Sequence, residues 1–393
     1  MTDAAAGQVD FPSLLEKVPA IGREVVAVHA DAVDREIRFP RESFDALKAE
    51  QLLSAYVPVK FGGMGLEVTQ VAKICETLGQ YCASTAMIYA MHQIQVACIV
   101  HHALGSPFFQ AYAREMVSQQ LLLASATTEQ GIGGDVRSSI CAVQVAGDRF
   151  TLEKQAPVIS YGSQADAILV TCRKSEDAAR SDQVQVLVRN ADYTLKQLSG
   201  WDTLGFRGTC SNGYALTSTG AAEQILPVEY AVIHSKSMHP FAHIVWSSLW
   251  LGIATDALQR ARTAVKNEAR KSPGVTPISA IRLAEADIVL SSMRSGLAAV
   301  MAEYSRMLQA DDADAFTGLS FGIRINNLKL ASSQLVVDIV GRAMLICGIA
   351  GYRNDSKLTL GRHLRDAWGA ALMVNNDRIL GHNATMQIGQ REG

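Results

Sequence analysis

The sequence predicts an α+β chain of several domains, two helical regions flanking a central antiparallel β region, and three observations carry that prediction. Apolar residues recur at helical spacing over 11–119, at a spacing of two over 121–232, and at helical spacing again from about 239 onward. A chain of 393 residues is too long for one hydrophobic core. Its composition, 48% hydrophobic and 19% charged, supports well-buried globular domains. The boundaries that follow are 1–120 for a helical N-terminal domain, 121–232 for a β-domain and 233–393 for a helical bundle.

In the first region Leu14, Leu15 and Val18 begin one amphipathic face, and Phe44, Leu47, Leu52 and Leu53 make another. Pro40 precedes a helix opening at Arg41-Glu42, as proline does at helix starts. The stretch Val57 to Leu66 holds Gly62, Gly63 and Gly65 and reads as a turn between helices. From Ala83 to Val100 the chain is an almost wholly apolar helix containing His92. A histidine in such a helix either hydrogen-bonds backbone in the core or faces a ligand.

In the central region Val184, Val186 and Val188 alternate with Gln183, Gln185 and Leu187. Gly147-Asp148 between two alternating runs is a hairpin signal, and the polar stretch Ser175 to Ser181 is a surface loop. Beyond His239, Trp246, Leu249, Leu251 and Ile253 share an apolar helix that ends at Arg270-Lys271-Ser272-Pro273-Gly274. Two more long stripes follow, Leu297, Met301, Tyr304 and Leu308, then Leu328, Leu335 and Ile339. Long helices with short connections argue a bundle.

A net charge of -2 with no long run of one sign gives no support for nucleic acid or an anionic membrane as partner. No apolar run reads as long enough to span a bilayer. The seven cysteines are scattered among apolar neighbours without a CxxC, which is the pattern of buried free thiols in a reducing compartment, and no zinc site is expected. The first residues lack a basic and an apolar leader segment, so a cytoplasmic protein is expected.

The stretch most suited to chemistry is Thr127-Thr128-Glu129-Gln130-Gly131-Ile132-Gly133-Gly134-Asp135, with a second piece at Val158-Ile159-Ser160-Tyr161. The first follows the apolar run 121–124 and so reads as the loop after a strand, where glycine lets backbone approach a ligand and threonine adds hydroxyl donors. Such a loop suits a polar heterocycle or a phosphate, although by spacing alone a glycine-rich loop after a strand is more often a plain turn. Thr128 to Asp135 resembles the T-E-x-G-x-G-S-D motif of the acyl-CoA dehydrogenase family, whose loop holds the flavin of FAD. The second piece resembles that family's K-x-W-I-T-N. Further resemblances run through Pro58 to Leu66, Leu204-Gly205-Phe206-Arg207-Gly208-Thr209, and Leu364-Arg365-Asp366-Ala367.

The resemblance implies the fold already read from periodicity, with a C-terminal four-helix bundle, a homotetramer, and flavin sites shared between subunits. It places flavin contacts at Ala126, Thr127, Thr128, Gly133, Gly134, Val158, Ile159 and Ser160, with Asn376 and Arg378 near the end of the chain. Ser160 keeps the hydroxyl of the family's threonine, whereas Val158 replaces a tryptophan and opens the pocket. Arg270 matches an arginine that reaches the pyrophosphate across the interface, and Gly348 and Gly351 match a glycine-rich turn there whose glutamine is lost.

The sequence departs from the family at its catalytic base. Counting from Arg365-Asp366-Ala367, Val374 stands where the family's glutamate removes the α-proton of an acyl thioester, and Ala242 stands at the base position some members use instead. A base contributes ~10²- to 10⁴-fold to rate, so His92, His243 and Asp377 are its candidate replacements. The leading expectation is α,β-dehydrogenation of acyl-CoA or another acyl thioester, with FAD and an electron-accepting flavoprotein. The alternative is a monooxygenase using O₂ and reduced FMN or FAD supplied by a reductase, which needs no carboxylate at 374. A third reading is a non-enzymatic scaffold.

Overall fold

A computed structural model describes residues 11–133, 135–310 and 314–389. The N-terminal region comprises α1 (Phe11–Ile21), α2 (Ala27–Glu36), α3 (Arg41–Ala49), α4 (Val68–Gly79), α5 (Ala83–His102) and α6 (Pro107–Gln119). A π-helical turn joins α1 to α2, and Ile37 in the left-handed region stops α2. Helix α4 opens on a capping box, with the Gln70 side chain accepting from the Glu67 N–H at 2.8 Å. Pro107 occupies the start of α6, where its missing N–H costs nothing. Nearly every side chain of α5 is buried, so that helix is the axis around which the domain packs.

The central region has strands β1 (Leu123–Ala126), β2 (Gln144–Ala146), β3 (Arg149–Ala156), β4 (Ala167–Arg173), β5 (Gln183–Arg189), β6 (Tyr193–Ser199) and β7 (Gly213–Ala221). They form two sheets, β1-β4-β5 and β2-β3-β7-β6. Pairing is antiparallel except that β1 runs parallel to β4, with Leu123 opposite Ala167. The β2–β3 hairpin turns at Gly147-Asp148, pairing Ala146 with Arg149. Strand β3 alternates exposed and buried residues along its whole length, the pattern of a sheet with one face on the core.

The C-terminal region holds α7 (Tyr230–Ile233), a π-helical segment (His234–Met238), α8 (His239–Ala269), α9 (Ile278–Ala310), α10 (Leu319–Cys347), α11 (Ile349–Tyr352), α12 (Gly361–Leu372) and α13 (Asn376–Gly389). Helix α8 crosses α4 at a pair of glycines: a Cβ on Gly252 would lie 2.2 Å from the Glu76 carbonyl oxygen, and one on Gly79 2.4 Å from that of Leu249. Larger residues there would force the two backbones apart. The turn before β7 docks on α12 in the same manner, with the Phe206 N–H donating to Asp366 Oδ1 at 2.6 Å.

The expectation that no apolar run could span a bilayer is corrected by the helices themselves. Three segments, Ala83–His102, Tyr230–Ala269 and Leu319–Cys347, are long and apolar enough by length and composition. The first two have 89% and 83% of their most apolar window buried inside the chain, because each serves as a core helix packed on all sides. In the third, α10, that share is 44%.

Candidate functional site

The two loops singled out in the sequence meet in space. Strand β1 delivers the chain to Thr128, whose Oγ1 donates to the Val158 carbonyl at 3.2 Å. Gly131 and Gly133 take φ of 88° and 60°, conformations that disfavour a side chain. Gly134 lies outside the described residues. The loop is fastened from below by Glu129, whose carboxylate accepts from the Cys141 N–H at 2.6 Å and the Ile140 N–H at 3.0 Å. Lys154 on β3 stands 3.5 Å from the same carboxylate and donates to the Thr171 carbonyl at 2.5 Å. Both charged side chains are buried, with 5% and 0% exposure, so each depends on the other.

Ser160 sits at the rim of a hydroxyl chain. Its Oγ is 2.7 Å from that of Ser211, which is 2.8 Å from Thr209 Oγ1. Thr209 Oγ1 donates its one proton to the Phe206 carbonyl at 2.8 Å, so it accepts from Ser211, Ser211 accepts from Ser160, and Ser160 offers a ligand a lone pair. Backbone bonds from Ile159 to Asn212 and from Tyr161 to Thr209 hold the segment in place. The N–H groups of Thr128 and Ser160 meet no backbone acceptor among the described residues. Two free donors, an accepting hydroxyl and a glycine loop fit the carbonyls and ring N–H of a flavin.

Helix α13 closes the site from the bundle. Arg378 Nη2 donates to the Gly133 carbonyl, joining the C-terminal helix to the glycine loop. Asn376 accepts from Lys329 Nζ at 2.6 Å and donates to Ser333 Oγ at 3.0 Å, which places it against α10. Burial lowers the Lys329 pKa to about 8, leaving it mostly cationic at neutral pH. Two turns on, Asn383 accepts from Asn326 Nδ2, and Asn326 Oδ1 accepts from His239 Nε2 at 2.8 Å. His234, His239 and His243 form a file with ring centroids 5.2 and 4.4 Å apart. Burial, then neighbouring positive charge, holds all three well below the usual imidazole range, His239 at about 4 and His234 at about 3.

The proposed replacements for the base fall into different surroundings. His92 is wholly buried: its Nε2 donates to the Leu53 carbonyl at 2.7 Å while Nδ1 accepts from the Leu123 N–H at 3.0 Å. Both ring nitrogens are committed to backbone, and burial lowers its pKa to about 4. It supports the start of β1 and has no lone pair left for a substrate proton. His243 donates through Nδ1 to the Ile325 carbonyl at 3.2 Å, which leaves Nε2 as an acceptor of low basicity. Asp377 is exposed in the first turn of α13. Val374 adopts φ 45°, a left-handed conformation that strains a β-branched residue.

Arg270, Gly348 and Gly351 do not join this site within one chain. Arg270 is exposed at the far end of the 31-residue α8 from His239, a distance of ~45 Å at the rise of an α-helix. Gly348 lies ~22 Å along α10 beyond Ser333. Lys154, Ser211, Lys329 and the asparagines of α10 escaped the sequence reading. The available signal was polar residues inside an apolar stripe, Asn326-Asn327-Leu328-Lys329-Leu330.

Residues 12–129 match the acyl-CoA dehydrogenase N-terminal domain and residues 241–373 the acyl-CoA dehydrogenase C-terminal domain. The chain is 24% identical over 378 residues to cyclohex-1-ene-1-carbonyl-CoA dehydrogenase of Syntrophus aciditrophicus, covering 93% of this chain and 86% of that protein. It is 23% identical over 346 residues to the amino sugar nitrososynthase DnmZ of Streptomyces peucetius, covering 86% and 84%. The solved structure of FMN-bound TdsC from Paenibacillus sp. A11-2, a dibenzothiophene monooxygenase, superposes with a TM-score of 0.83 at 18% identity, covering 96% and 98% of the two chains. At that identity the superposition shows a common fold.

Proposed function

The chain belongs to the acyl-CoA dehydrogenase family, and from that membership we propose that it is a flavin-dependent monooxygenase that receives reduced flavin from a separate reductase and oxygenates a small organic substrate. The cofactor is a flavin, FAD or FMN, which supplies electrons to O₂ when bound. The observation that carries the reading is the proton chemistry of the site. Val374 stands at the family's base position, His92 is locked to backbone, and His239 and His243 are held neutral and weakly basic. A general base works best with a pKa near the working pH. Lys329, at about 8, is the opposite: at neutral pH it gives a proton more readily than it takes one.

The remaining residues have positioning roles in this reading. Thr128 and Ser160 orient the flavin ring through their N–H groups, and the Ser160 hydroxyl, its proton given to Ser211, accepts from a ring N–H. Arg378 holds the glycine loop shut over the ring. Glu129 and Lys154 keep that loop rigid.

A second reading, α,β-dehydrogenation of an acyl thioester, is favoured by the similarity to the cyclohexenecarbonyl-CoA enzyme. It calls on His243 Nε2 or Asp377 as the base. Family relatives include an amino sugar nitrososynthase as well as acyl-CoA dehydrogenases.

One experiment separates the two. Reduced FAD or FMN bound to the protein is mixed with O₂, and oxidised flavin loaded into the protein is mixed without O₂ with acyl-CoA thioesters. The monooxygenase reading expects flavin reoxidation to split into a fast and a delayed phase, with no thioester bleaching the oxidised flavin. Bleaching by a thioester would replace that reading with the dehydrogenase. Ser160→Ala is expected to weaken flavin binding or shift its spectrum, and an unchanged spectrum and affinity would remove Ser160 from the site.

A further inference from the structure

The geometry points to a reversible disulfide between Cys141 and Cys172 that loosens the flavin loop, a modification site placed directly behind the ligand-binding face. The segment carrying Cys141 lies alongside β4 in a parallel bridge, with Ala142 opposite Arg173. The Arg173 N–H donates to the Cys141 carbonyl at 2.8 Å and the Val143 N–H to the Arg173 carbonyl at 3.0 Å. That register sets Cys141 and Cys172 side by side on the opposite face of the ribbon. Paired chains lie ~4.8 Å apart, within the Cα separation of ~4.4–6.8 Å that a disulfide spans. The two thiols are close enough to perturb each other's ionisation.

The surroundings decide which sulfur reacts first. Cys172 donates to Cys141, and the Lys154 ammonium nearby also favours negative charge there; together they outweigh burial and lower the Cys141 pKa. The same hydrogen bond and complete burial raise that of Cys172. Cys141 is therefore the nucleophile and Cys172 the resolving thiol. With hydrogen peroxide as oxidant, the Cys141 sulfur attacks one peroxide oxygen, the O–O bond breaks, and the departing hydroxide leaves as water after taking a proton. The Cys172 sulfur then attacks the Cys141 sulfenic acid, the S–S bond forms, the S–O bond breaks, and a second water leaves with the Cys172 proton. Two thiols lose two electrons and the peroxide gains them. Uncoupled reaction of reduced flavin with O₂ would provide that peroxide; only this origin rests on the monooxygenase reading.

The link to function runs through the backbone of Cys141. Its N–H and that of Ile140 hold the Glu129 carboxylate, and Glu129 belongs to the glycine loop. Drawing Cys141 toward Cys172 moves that clamp.

The full chain, with and without bound flavin, would be treated with added hydrogen peroxide, freed of peroxide, unfolded in the presence of an alkylating agent and mapped by mass spectrometry. The expected result is a disulfide joining 141 to 172 while Cys210, the more exposed thiol, keeps a single sulfur. Flavin affinity should fall at least threefold and return with dithiothreitol. Cys141→Ser or Cys172→Ser should abolish both changes, whereas Cys210→Ser should leave them. Oxidation of Cys210 with Cys141 and Cys172 still alkylatable would overturn the site. A disulfide that leaves flavin affinity unchanged would overturn its coupling to the loop. Because peroxide is added directly, neither outcome depends on which reaction the enzyme catalyses.

Discussion

Val374 combines an apolar side chain with an uncommon backbone conformation. Its φ of 45° lies where β-branched residues pay most, and the left-handed region costs an L-residue ~1–2 kcal/mol. Glycine would remove that strain but adds ~0.5–1 kcal/mol of unfolded-chain entropy. Val374→Gly is therefore expected to raise stability by up to about 1 kcal/mol, read as a higher midpoint in urea. A lower midpoint would mean that the valine's packing outweighs the strain. At this scale the sequence was informative about identity and silent about environment: it marked His92 as notable, but only the structure shows both its nitrogens occupied by Leu53 and Leu123. Those two partners lie 39 and 31 residues away in the chain, beyond any local pattern.

At the scale of elements, the glycine loop is held by a buried ion pair on strand β3. Removing one partner of such a pair costs ~3–5 kcal/mol because the other charge is left unpaired. Glu129→Gln is expected to destabilise by about that amount, and Lys154→Met added to it should recover part of the loss. Denaturant unfolding of the two single variants and the double variant measures this coupling; strict additivity would show that the charges act independently. The loop was legible in the sequence because its glycines, threonine and glutamate are contiguous. Lys154 was not, since it reaches the loop through the β3–β7 sheet and reads in sequence as one polar residue of an alternating strand.

Across the whole molecule, buried imidazoles set the response to acid. Burial lowers His92, His102 and His239 to about 4 and His234 to about 3, against about 6.5 when unfolded. Between those values the unfolded chain binds more protons than the folded one, so stability rises with pH. This contribution is fully present above about pH 6.5 and is lost as pH falls toward 4. Asp366 works the other way: burial raises its pKa to about 6, so the folded chain holds the extra proton and this group favours lower pH between about 4 and 6. At ~1.4 kcal/mol per pKa unit, four histidines outweigh one aspartate. The melting temperature is expected to be several degrees lower at pH 5 than at pH 7, and an equal or higher value at pH 5 would reverse the ordering.

The sequence by itself determined the order of helical, strand-rich and helical regions, because periodicity is a property of neighbours along the chain. It also marked the two loops that meet in the candidate site and the valine at 374, since these are contiguous or countable from Arg365-Asp366-Ala367. Tertiary structure alone decided what those residues face. The parallel pairing of β1 with β4, the contact of Arg378 with Gly133, the burial of Lys329 against Asn376, and the pairing of Cys141 with Cys172 each join segments far apart in sequence. Such contacts are set by how helices and sheets pack, and charge, basicity and reactivity at the site follow from them.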